Sequence, residues 1–124
     1  MTYLAVALGG ALGAMSRFFV YNAFTHATRS TYPWATFTVN VAGSFLIGIA
    51  FILITERLEM GPYWRSIVTV GFLGAFTTFS TFSMDVIGLL EQGQVSNAII
   101  YVLSSVVVCI IAAWLGLSLA KFLF

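Results

Sequence analysis

Residues four apart on a helix are neighbours on one face, and three sets of residues in this chain repeat that spacing. Thr36, Asn40 and Ser44 form one set, Asn97, Tyr101 and Ser105 a second, and Gly9, Gly13 and Arg17 a third. The first two are polar tracks running about two helical turns. The third is a groove of small residues ending in a charge. No carboxylate stands in any of them. Asn, Ser, Thr and Tyr donate hydrogen bonds while remaining neutral. A path rich in neutral donors, with Arg17 near one end, suits an anion better than a cation. Hydroxyls also accept, and one track alone is equally well a helix–helix hydrogen bond. Several tracks in one short chain favour a polar pathway, with Asn40 its sharpest member, because an amide is costly to place among hydrocarbon.

A different chemistry is written in "GFLGAFTTFSTFS", Gly71 to Ser83. Gly71, Gly74 and the adjacent Thr77 and Thr78 weaken a helix. A broken helix at membrane depth is tolerated where it is buried in protein or lines a cavity. Its freed carbonyls can coordinate a small cation. Phe79 and Phe82 follow at i, i+3. They are either core aromatics or rings turned edge-on to a path. A ring edge is positive and its face negative, so edges can meet an anion without the deep trap of a fixed cation.

The elements that hold these residues follow from composition. Of 124 residues, 60% are hydrophobic and 7% charged, where soluble domains carry about 25% charged residues. Such a chain cannot cover a water-facing surface and reads as an all-α integral membrane protein. Four segments are long enough to span a bilayer, which needs roughly 20 helical residues. They lie at about 3–24, 34–55, 66–90 and 96–120, in a single four-helix domain covering 1–124. The third contains the expected break and Asp85. The connections "THATRSTYP", "ERLEMGPYW" and "EQGQVS" have loop punctuation. Tyr32, Trp34, Tyr63 and Trp64 flank span ends as interfacial aromatics do. The N-terminus has no basic residue ahead of its apolar run, and so resembles a first membrane helix more than a cleavable signal.

With four spans, Arg57, Arg65 and Lys121 share one side, against Arg29 and Arg17 on the other. That bias is weak under the positive-inside rule, so the chain is expected to insert both ways. Two copies in opposite orientation can then pair about a two-fold axis in the membrane plane. Four short helices hardly enclose a path alone, and a homodimer is the simplest closure. The small residues Gly9 and Gly13, and Ser44 and Gly48, offer close-approach faces for association. A net charge of +1 without a basic patch argues against nucleic acid. Cys109 alone makes neither an internal disulfide nor a cysteine zinc site. His26 stands alone in a loop, and no nucleophile–base pair appears, which disfavours an enzyme. A proton-coupled multidrug exporter of this size needs a carboxylate in its first span, where Arg17 is the only charge.

The segments "GGALGAMSRF", "TFTVNVAGSFLIG" and "GFLGAFTTFSTFS" resemble the small fluoride channels called Fluc or CrcB, and the resemblance covers the whole chain. It implies a dual-topology antiparallel homodimer in the bacterial inner membrane that lets fluoride leave the cytoplasm passively. Asn40, Phe79 and Phe82 match the family's pore asparagine and pore phenylalanines. Ser80, Tyr101 and Ser105 match further polar pore positions, and Thr36 stands on the Asn40 track. Gly74 and Thr77 match positions whose backbone carbonyls hold a structural, untransported sodium ion (Na+) at the dimer centre, two copies supplying four oxygens. Arg17 matches a family arginine, and Asp85 a position that is often acidic.

Overall fold

The computed structural model describes residues 1–58 and 60–124. Among the described residues the chain is all helical. Four helices are long and apolar enough to cross a membrane: Thr2–Ala27, Trp34–Arg57, Pro62–Glu91 and Val95–Leu123. Both ends of the third helix have a local cause. Pro62 opens the third helix, where its missing N–H leaves no bond unmade. Gly93, at φ 74°, adopts the left-handed conformation that closes it. The Gln94 N–H then returns to the Leu89 carbonyl at 2.9 Å. Two stretches are wound more widely as π-helix, Leu53–Arg57 and Ser66–Leu73.

The helices pack as two close pairs, each made possible by glycine. A Cβ on Gly9 or Gly13 of the first span would run into the carbonyls of Ile67 and Phe72 in the third. A Cβ on Gly48 of the second span would meet the Ala113 carbonyl of the fourth, and one on Gly116 the Phe45 carbonyl. Backbones therefore approach without side chains between them, as small residues permit in membranes. This corrects one expectation. The Gly9–Gly13 face and Gly48, read as surfaces for association between copies, are consumed inside the chain. Spacing identifies a close-approach face and does not say which helix fills it.

The outward faces are apolar. Leu8, Leu12 and Phe19 of the first span, and Ile99, Leu103, Ile110 and Trp114 of the fourth, are exposed, as suits a hydrocarbon solvent. Inside, Phe82, Leu89, Ala98 and Tyr101 form a buried cluster. It fixes the second half of the third span against the fourth and so positions the residues described next.

Candidate functional site

The third span leaves its helical path at two residues. Thr77 has φ −80°, ψ 159° and Thr78 has φ −154°, ψ 118°. Gly74–Phe76 is helical before them and Phe79–Glu91 after them. The threonines themselves close the first helix and open the second. The Thr77 hydroxyl donates to the Leu73 carbonyl at 2.9 Å, beside the Thr77 N–H at 3.1 Å. The Thr78 hydroxyl oxygen accepts from the Thr81 N–H at 3.2 Å, as an N-cap does.

The backbone groups released here have specific destinations. In a continuous helix the Thr78 N–H would donate to the Gly74 carbonyl, and the Thr81 N–H to that of Thr77. Instead, the Thr78 N–H donates to Asn40 Oδ1 at 2.8 Å, and Asn40 Nδ2 donates back to the Thr78 carbonyl at 3.0 Å. The Asn40 amide thus pairs with one peptide unit on both edges. The Thr81 N–H goes to the Thr78 hydroxyl. The carbonyls of Gly74 and Thr77 lose their helical donors, and these are the two that the family resemblance assigns to sodium. The Thr77 carbonyl accepts instead from Arg17 Nη1 at 3.3 Å. Among the described residues no group of His, Cys, Asp and Glu is arranged to hold a metal.

An open cavity of about 350 Å³ lies beside these residues. Asn40, Gly74, Thr77, Phe79, Phe82 and Ser105 line it, so six of the residues expected at the site share one space. Ser105 is 6% exposed, and its Oγ is a buried polar atom without a hydrogen-bond partner. Phe79 and Phe82 stand 5.4 Å apart between ring centroids and are tilted by 41°. Phe82 is buried against Tyr101, 5.1 Å away, whereas Phe79 is 77% exposed.

The other expected residues lie around the cavity. Tyr101 is fully buried, and its hydroxyl donates to Asp85 Oδ2 at 3.1 Å. Thr36 is buried, with its hydroxyl paired to that of Tyr21. Ser80 is exposed and lies 3.4 Å from the Thr78 hydroxyl. Asn97 bonds to the Gln94 side chain at the start of its helix, so the fourth-span track enters the interior only from Tyr101. Arg17 is half-buried and turned towards the interruption.

Gly43 and Thr78 carry weight that residue type alone did not reveal. A Cβ on Gly43 would strike Thr77 Cγ2, so the glycine makes room for the interruption. Its place three residues after Asn40, on the same helical face, was the available signal. Thr78 supplies both the cap and the peptide that Asn40 reads. An Asx or ST cap signal, Thr78 followed three residues later by Thr81, was present but ambiguous within a run of hydroxyls.

Four apolar spans enclosing a polar interruption and a half-open cavity make this a multi-pass membrane protein. The profile of the CrcB-like protein family, Camphor Resistance (CrcB), matches residues 4–117, and the chain belongs to that family. It is 46% identical over 116 residues to the fluoride-specific ion channel FluC of Magnetococcus marinus, covering 94% of each chain. It is 47% identical over 119 residues to the protein of the same name from Saccharophagus degradans, covering 96% of this chain and 89% of the relative. The Hahella chejuensis protein of that name is 44% identical over 116 residues, covering 94% and 91%. These relatives are ion channels, and the chain is not an enzyme.

Proposed function

We propose that this protein is a fluoride-selective channel that lets fluoride leave the cytoplasm passively, working as an antiparallel homodimer in the bacterial inner membrane. The observation that carries this reading is 44–47% identity, over more than nine-tenths of the chain, to relatives named as fluoride-specific channels. The geometry supports it independently. A buried hydroxyl without a partner is costly, and Ser105, a residue of the cavity lining, carries one. A small, strongly hydrated anion needs donors that replace water at close range. Ser105 Oγ–H is one. The second N–H of Asn40 is another, since only one of its two is given to Thr78. Phe79 and Phe82 border the same space and offer ring edges that attract an anion weakly enough to release it.

The homodimer reading rests on the openness of this site within one copy. Phe79 is exposed, and the polar residues line a cavity that a single copy does not close. A second, inverted copy would cover it. The chemistry of the interruption fits a sodium ion. The carbonyls of Gly74 and Thr77 are both released from helical bonding, and two copies would supply four hard oxygen ligands. When bound, sodium would supply a fixed positive charge shared between subunits.

Reconstitution in liposomes tests the reading. With sodium present, an ion-selective electrode should record fluoride efflux, with chloride efflux far slower. Absence of fluoride efflux overturns the channel assignment, and equal chloride efflux overturns selectivity.

A further inference from the structure

Two of the carbonyls released at the interruption, those of Gly74 and Thr77, are not held alike. That of Gly74 belongs to a helical turn, so the helix fixes its direction. That of Thr77 belongs to an extended residue, and its helical donor, the Thr81 N–H, is bound to the Thr78 hydroxyl. One external group steadies it, the Arg17 guanidinium at 3.3 Å. Arg17 comes from a different span, and Gly13, four residues earlier on the same face, lies against the Phe72 carbonyl. The first span is therefore seated on the third one helical turn from the arginine. A carbonyl oxygen has two lone pairs, and a single long hydrogen bond leaves one of them free. The contact is longer than the roughly 2.7–2.9 Å of a strong charge-assisted bond. Such a bond can set the direction of the oxygen without saturating it.

We infer that Arg17 is a positioning residue for a cation site at the interruption: it aims the Thr77 carbonyl from the first span while leaving its second lone pair for the ion. This rests on the sodium reading given above. It is distinct from a role for Arg17 in the anion path, because it acts on a backbone oxygen. It also has an opposite. A guanidinium is itself a cation, and if it competed for the oxygen, removing it would strengthen cation binding. The two accounts differ in sign.

The test uses the full-length purified protein in detergent. Sodium is titrated against N-methylglucamine while thermal melting of the dimer is followed by chemical cross-linking. The wild type should be stabilised by sodium with a defined half-effective concentration. Arg17→Met should raise that concentration by about 10–100-fold, the usual cost of losing a partner that orients a metal ligand. Arg17→Lys, which keeps a donor and a charge, should raise it less. Discrimination of sodium over potassium should also fall in Arg17→Met, because a loosely aimed oxygen no longer fixes the size of the site. A lower sodium requirement means competition and overturns the inference. A drop in melting temperature that is equal at every sodium level means a merely structural role and also overturns it. If Arg17→Met does not fold, Arg17→Gln and Arg17→Lys decide by the same shift. A wild type indifferent to sodium overturns the sodium reading itself, a result distinguishable from the other two.

Discussion

Ser105 holds a hydroxyl for which the fold supplies no partner, although buried polar groups are nearly always satisfied. Removing it therefore has opposite effects on stability and function. Ser105→Ala is expected to stabilise the protein by about 1 kcal/mol while slowing fluoride efflux; thermal melting and electrode recordings on the same preparation check both. Asn40 behaves differently, because its amide is already engaged with the Thr78 peptide. Asn40→Ala leaves a buried N–H and C=O unpaired, at a cost of about 1–3 kcal/mol each, so melting temperature and flux should fall together. Phe79→Ile and Phe82→Ile should each reduce flux, and cross-linking should still find a dimer, since isoleucine keeps both positions apolar. At this scale the sequence marks side chains by cost: Asn40 and Ser105 stand out because a polar group is expensive among hydrocarbon, whereas Phe79 and Phe82 stand out only by their i, i+3 spacing and the family resemblance. What each one touches was not legible, because spacing gives a face and not a partner. The Asn40 amide could equally have met an ion or a peptide, and it meets Thr78 with one N–H left over.

The elements are held by backbone approach more than by side-chain interlock. Gly48 and Gly116 let the second and fourth spans meet at the carbonyls of Ala113 and Phe45. Gly43 lets the second span admit the methyl group of Thr77. Gly43→Ala should therefore disturb the interruption directly, and Thr77→Ser, which removes that methyl group, should restore much of what was lost. A double-mutant cycle on melting temperature checks this, and additive effects would show that the two positions do not meet. Four spans could be read from hydrophobic length alone, since nothing else accounts for so few charges. Their partners could not. The Gly9–Gly13 spacing suits another copy of the chain as well as the third span of the same chain. Only the position of Ile67 and Phe72 against it decides.

For the whole molecule, the proposed inverted pair makes charge balance a determinant of assembly. Arg57, Arg65 and Lys121 stand against Arg29, with Arg17 turned into the fold, a small bias that leaves orientation weakly specified. Adding lysines to the loop between the first two spans, or alternatively to the chain end beyond Lys121, should drive copies to opposite orientations. Either variant alone should give little fluoride efflux, and their co-expression should restore it; accessibility of tags placed at the C-terminus checks the orientations. The interruption at Thr77 and Thr78 has a consequence for this pair that reaches past hydrogen bonding. A helix carries partial positive charge at its N-terminus and partial negative charge at its C-terminus, normally a membrane's width apart. Where the third span stops at Phe76 and restarts at Phe79, both signs occur within a few residues of each other and at the same depth. The ending helix turns its negative pole towards this level and the starting helix its positive pole, so a chain with few charged side chains offers fields of both polarities in mid-membrane. Inverting a second copy would set four such poles symmetrically about the two-fold axis, so that peptide dipoles add to the Arg17 charge in the field at the proposed ion sites.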